Sequence, residues 1–342
     1  MAGIEKTKQI VMKQMRFTSK ATPILIGPPG GGKSSIAVQI GEEMGYTRDR
    51  ILVVHINNYD VVDFTGVPSV VHDADGDGFT IFNPTKFFYD FREGTGGGLI
   101  IFEEVPQSNM LMQTWFAGFE LERETPSYKL DPDVRMICTG NRQEDKAGAK
   151  PMLGHLQDRL WFLDVETSSR DYRTWALQNG INKNLIAFLE LRPELLNQFL
   201  PTRRSNPTQR SWSKISMDIP PDMPTDEYLI LCSAKVGEGA AAEWVAAKDM
   251  MDKMPSIEGI RASPTNAEVP TEPAVRFAVA TAMSTTCTED TFANDMAYIK
   301  RMPLEFATTY LTDVCTMIPA LQRSQPFIDW SIKNQSIFTG GE

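Results

Sequence analysis

Apolar positions along the chain follow two regimes, which change near residue 168. In the first, short continuous runs recur: Pro23–Gly27 (PILIG), Ile51–Ile56 (ILVVHI), Gly98–Phe102 (GLIIF), Val134–Gly140 (VRMICTG) and Leu160–Val165 (LWFLDV). They are rich in β-branched residues and lack the polar alternation of a half-exposed strand. They therefore predict strands covered on both faces, as in a parallel sheet. Helical spacing between them marks Lys33–Met44 and Pro106–Glu122. Together these predict an open α/β sheet with helices on both sides. Beyond Glu166 the runs RDYRTWALQNG, LIAFLELRPELLNQFL, AAAEWVAAKDMMDKM and LEFATTYLTDVCTMI carry helical periodicity, broken by Pro, Gly and Asn. No strand-like run recurs there. The predicted domains are an α/β domain at 1–168 and an all-α region at 169–342. Pro255–Pro273 reads as a long loop.

The turn after the first predicted strand carries chemistry. GPPGGGKSS comprises Gly27, Pro28, Pro29, Gly30, Gly31, Gly32, Lys33, Ser34 and Ser35. Gly27, Gly32, Lys33 and Ser34 fill the pattern G-x-x-x-x-G-K-[ST] between a strand and a helix, the context that a phosphate loop needs. Glycines allow successive backbone N–H groups to face phosphate oxygens, and the helix start adds the positive end of a dipole. Lys33 is expected at the β and γ phosphates and the Ser34 hydroxyl at Mg²⁺. The predicted fold class is thus an α/β P-loop NTPase binding ATP and Mg²⁺. NRQE (Asn141–Glu144) lacks the lysine and aspartate of the guanine-reading N-K-x-D, which favours ATP over GTP.

The run LIIFEEVPQ (Leu99–Gln107) ends in two acids. In sheets of this kind a strand beside the phosphate-loop strand delivers carboxylates to the metal and the attacking water. Glu104 is then the group that polarises the water. Glu103 stands where aspartate is usual, near Mg²⁺, and is longer by one C–C bond, ~1.5 Å. Octahedral Mg²⁺ keeps several waters, so the longer acid must fold back or replace one. DADGDG (Asp73–Gly78) resembles the start of a Ca²⁺ loop, but the twelfth position falls on Pro84; a hairpin turn between PSVV and FTIF explains it better. Phe87, Phe88 and Tyr89 read as helix-face core residues, with a polypeptide-gripping role as the alternative.

Charge and composition narrow the partners. The formal net charge of −10 argues against a surface devoted to phosphate backbones, so nucleic acid is a disfavoured partner. Cys138, Cys232, Cys287 and Cys315 stand singly and read as reduced thiols. His55, His72 and His155 are scattered, which gives no support to a histidine-based zinc site or triad. No apolar run reaches the roughly 18 residues of a membrane span, nor does the start carry a signal-like core. A cytoplasmic protein is expected, in host cytoplasm if phage-encoded.

From Thr22 to Ser216 these motifs resemble the AAA+ ATPases, and within them the MoxR-like branch with its NorQ/CbbQ and GvpN types. YDVVDFTGVP (Tyr59–Pro68) and EEVPQSNMLMQTWFAGFELERE carry the likeness, and the helical second half is similar to the lid of a bacterial and phage subgroup. The resemblance implies an AAA+ core with a C-terminal helical lid. In VRMICTGN, Asn141 looks like the polar sensor that positions the water. In LQDRLWF, Arg159 looks like an arginine finger for the neighbouring subunit, although Leu160 follows where phenylalanine is commoner. NPTQRSWSKIS resembles the second sensor stretch and points to Arg210, with the usual proline displaced to Pro207. The family further implies a homo-oligomeric ring, a hexamer, and a chaperone-like remodelling role with a von Willebrand factor A-type partner protein. Three alternatives remain open: a slowly hydrolysing nucleotide switch, a nucleic-acid motor of helicase-loader type, and a purely structural ring.

Overall fold

A computed structural model describes residues 4–145, 148, 150–166, 168–251 and 254–334. The chain forms two compact units, residues 1–168 with 199–203 and residues 169–198 with 204–342.

The first unit is built on a parallel sheet. Its strands are β1 (Thr22–Gly27), β2 (Ile51–His55), β5 (Gly98–Glu103), β6 (Val134–Asn141) and β7 (Leu160–Asp164), in the order β2-β5-β6-β1-β7. All five predicted runs become strands. β3 (Val67–His72) and β4 (Gly78–Asn83) form a separate antiparallel hairpin. At its tip, Asp73 Oδ1 accepts from the backbone N–H groups of Asp75 and Asp77, as a turn-capping aspartate does. Among the described residues no group of three or more His, Cys, Asp or Glu is arranged for a metal.

The helices of this unit are α1 (Ile4–Phe17), α2 (Lys33–Glu43), α3 (Val61–Thr65), α4 (Lys86–Tyr89), α5 (Met110–Glu122) and α6 (Gly154–Gln157). One face of the sheet packs with α1 and α2 through Val11, Met15, Ile36, Ala37 and Ile40. The other packs with α5 through Phe102, Phe116 and Phe119. Phe64, Trp115 and Phe119 extend that layer by ring stacking. Phe88 is fully buried in it, and Tyr89 is half-exposed beneath the Arg92 guanidinium. The side chain of Phe87 lies outside the described residues. The helix predicted from Pro106 begins instead at Met110. Val105–Gln107 form a 3-10 turn, and the Asn109 side chain accepts from Met112 N at 2.8 Å to start the helix.

Among the described residues the regular elements of the second unit are all helices: α7 (Ser169–Gln178), α8 (Lys183–Leu191), α9 (Gln209–Asp218), α10 (Thr225–Val236), α11 (Glu238–Met251), α12 (Ile257–Ala262), α13 (Pro273–Thr285), α14 (Phe292–Ile299), α15 (Leu304–Met317) and α16 (Gln325–Lys333). The stretch predicted as loop contains α12. Ser256 caps it, Ile260 is buried, and Arg261 makes a paired contact with Asp295. Periodicity over six residues is too short to announce such a helix; its tertiary partners supply the stability.

Arg173 and Asp313 form a buried ion pair between α7 and α15. Arg173 Nε donates to Asp313 Oδ1 at 2.8 Å, and Thr281 and Ser284 complete the network. Removing one partner leaves an uncompensated buried charge. Asp313→Ala is therefore expected to cost about 3–5 kcal/mol, read as a lower urea midpoint. Breaking the exposed Arg192–Glu194 pair should leave the midpoint nearly unchanged, because solvent screens it.

Candidate functional site

Side-chain alternation along the parallel strands sorts their ends onto the two faces of the sheet. Leu25, Val53, Ile101 and Ile137 pack on the α2 side. Successive side chains point to opposite faces. Gly27, His55, Glu103 and Asn141, two or four residues further along β1, β2, β5 and β6, therefore end on that same side.

The loop ahead of α2 is shaped by glycine. Gly30 and Gly32 have φ of 74° and 82°, a region that a Cβ disfavours. Gly32 is the N-cap and no side chain caps α2, so the positive dipole end of the helix faces the loop. Lys33 is buried, 9% exposed, and its ammonium donates to Gly27 O at 2.9 Å, Pro28 O at 2.8 Å and Asn141 Oδ1 at 3.0 Å. Gly27 and Asn141 are register partners across β1 and β6. Ser34 is half-buried one residue into α2, and Ser35 is exposed.

The sequence reading sets the acid-bearing strand beside the phosphate-loop strand. The sheet instead inserts β6 between β1 and β5. The insertion gives Lys33 its side-chain partner Asn141. Gly140 makes the corner possible, since a Cβ there would meet Pro106 Cγ at 2.5 Å.

Glu103 closes β5 with only 7% exposure, and its Oε2 lies 3.1 Å from His55 Nδ1. The two residues are register partners of β5 and β2. Glu104 follows in the left-handed region, with φ 63° and ψ 33°. For a non-glycine residue this costs about 1 kcal/mol or more, a cost that clusters at functional sites. Extended backbone would send Glu104 after Phe102 into the aromatic layer. The turn sends it outward, where Asn57 Nδ2 donates to Oε2 at 3.3 Å. His55 and Asn57 escape a motif search. Their only sequence signal is polar residues closing the ILVVHINN run, and their use depends on β2 lying beside β5.

All candidate metal donors here, the Ser34 hydroxyl and the Glu103 carboxylate, are oxygens. With Lys33 and an uncapped helix start facing the same side, the set suits Mg²⁺ carried by a polyphosphate. A cavity of about 430 Å³ opens elsewhere, beside Ile26, Pro106, Lys150 and Phe162. It lies on the α5 side and shares only Asn141 with this set, so it is not where the phosphate loop faces.

Arg159 is not brought to this corner. It directly precedes β7, whose first residue, Leu160, is level with Thr22 at the start of β1. Five residues of strand, roughly 16 Å, separate that level from Gly27. The Arg159 guanidinium instead donates to Ala117 O on α5. Nearby, burial pushes the Glu120 carboxyl up, opposed by the Thr22 hydroxyl and by Arg123 and Arg159. Arg210 is exposed in the first turn of α9, which Thr208 caps and Trp212 anchors through Leu195 O.

A parallel sheet clad on both faces, with a glycine loop joining β1 to α2 and a helical C-terminal region, is the α/β P-loop NTPase fold. No family model and no curated protein matches the chain. Among solved structures, it is similar to a DNA polymerase III gamma subunit-related protein from Thermotoga maritima, at 11% identity, covering 90% of this chain and 91% of that one with a TM-score of 0.39. It is also similar to NtrX from Brucella abortus, at 13% identity over 100% of this chain and 66% of that one, TM-score 0.36. The same protein in complex with ADP aligns at 15% identity over 72% of this chain and 66% of that one, also at 0.36. These values are too low to bear on activity. Among the described residues no helix is long and apolar enough to cross a membrane.

Proposed function

We propose that the chain is an ATP hydrolase of the AAA+ type. The observation that carries this reading is the Lys33 ammonium held in a glycine loop and touching Asn141, on the sheet side where Glu103 also ends. Phosphoryl transfer to water asks for positioning and charge stabilisation, not for a covalent intermediate. Lys33 and the loop N–H groups bind the phosphates. Glu104 orients and polarises the attacking water, and Asn141 helps to hold that water. Ser34 and Glu103 are the residues that would hold Mg²⁺, which when bound neutralises charge on the phosphate oxygens. The resemblance assigns Arg210 the role of the second sensor, and Arg159 acts on the neighbouring subunit's nucleotide.

The finer reading follows the resemblance: a MoxR-like hexameric ring that uses ATP to remodel a partner, of von Willebrand factor A type. The β3–β4 hairpin supports contact with a polypeptide, because Val67, Val70, Phe79 and Ile81 are exposed on a two-stranded element. Calorimetric titration with Mg²⁺-ATP tests the reading. Lys33→Ala should bind at least about tenfold more weakly than the native chain, as expected for losing charge-assisted hydrogen bonds. Equal affinity would place the nucleotide elsewhere.

A further inference from the structure

Glu103 presents a problem of length. Glutamate carries one more torsion than aspartate, so a carboxylate at this strand end has more ways to miss a metal. The structure supplies a constraint. Among the described residues, His55 is the only side chain partnering that carboxylate, with Nδ1 3.1 Å from Oε2. The pair is lateral, from adjacent parallel strands in register, on the α2 side of the sheet. His55 is itself half-exposed, so its presence is not explained by core packing. The next polar residue of the same corner, Asn57, holds the next acid, Glu104.

We infer that His55 is a positioning residue that fixes the side-chain torsions of Glu103, leaving the second carboxylate oxygen to engage nucleotide-bound metal. The inference rests on the nucleotide-site reading above. The imidazole Nδ1 lies against Oε2 at 3.1 Å, a polar contact that commits that oxygen to the β2 side. Outer-shell partners of this kind orient a ligand whose own freedom would otherwise oppose binding. The pairing also explains how this chain keeps glutamate at the position: the longer acid reaches β2, and the histidine takes up its extra length.

The test reads metal binding without turnover. Mn²⁺ is titrated into the full chain with a non-hydrolysable ATP analogue, and free Mn²⁺ is followed by electron paramagnetic resonance. His55→Ala should weaken Mn²⁺ binding about tenfold or more, the usual cost of losing an outer-shell partner. Affinity for the analogue without metal should stay unchanged. His55→Asn, whose amide nitrogen can stand against the same carboxylate oxygen as Nδ1 does, should restore most of the loss. In a Glu103→Asp background, where the shorter acid falls short of β2, His55→Ala should have little further effect, giving a clear coupling in the double-mutant cycle. Native protein that binds analogue and Mn²⁺ while His55→Ala matches it overturns the inference alone. So does a full His55→Ala effect in the Glu103→Asp background. Native protein that binds neither probe overturns the nucleotide-site reading itself.

Discussion

Glu104→Gln is expected to bind Mg²⁺-ATP about as tightly as the native chain and to hydrolyse it about 10²- to 10⁴-fold more slowly. The amide keeps the shape of the side chain and its contact with Asn57 but accepts a proton poorly. The left-handed backbone at residue 104 makes the case for this residue over its neighbour. Glu103 is the last residue of β5, and the turn after it carries Glu104 out of the alternation and into solvent, where a water can be presented to a phosphate. Glu103 stays buried against His55. Steady-state phosphate release together with equilibrium ATP binding separates the two roles. Unchanged turnover would remove Glu104 from the chemistry. A native rate already as low as that of Glu104→Gln would favour the slowly hydrolysing switch over the motor.

Arg159→Ala should lose hydrolysis by about 10³-fold or more while binding ATP nearly normally, the signature of an arginine that meets charge developing in the transition state. The sheet register is the reason to expect action in trans. Arg159 stands before Leu160, level with the beginning of β1, and the phosphate loop lies at the other end of that strand. Its guanidinium rests on Ala117 O of its own chain, so on the proposed reading it leaves that contact to reach a neighbour's nucleotide. Subunits carrying Arg159→Ala keep an intact phosphate loop, and subunits carrying Lys33→Ala keep an intact finger. Mixing them should restore part of the activity that neither has alone. No recovery in mixed assemblies would count against a shared site.

Much of this corner is legible in the sequence because its signals are local. A glycine loop between an apolar run and a lysine-led helix needs no tertiary information. The five strands are legible too, since each is a short apolar run; the expected cover on both faces holds for β1, β5 and β6, whereas β7 at the sheet edge leaves Trp161 and Phe162 exposed. Strand order is not, because nothing local states that β6 enters between β1 and β5 and brings Asn141 to Lys33. The roles of His55 and Asn57 are hidden for the same reason: each partners an acid about 47 residues away, across a strand pairing. The turn at Glu104 is invisible as well. Apolar periodicity through Pro106 suggests a continuous helix, whereas Asn109 captures the helix start and leaves a strained corner before it. In the second unit, α12 is masked by a Pro-, Ser- and Thr-rich stretch and forms because Ile260 and Arg261 find partners far along the chain.

The most direct measurement is phosphate release from Mg²⁺-ATP by the native chain, run beside Lys33→Ala under the same conditions. Turnover by the native chain that disappears in Lys33→Ala is the expected result. Turnover that persists in Lys33→Ala, or a native chain that binds ATP without ever releasing phosphate, would contradict a nucleotide-hydrolysing site at this loop.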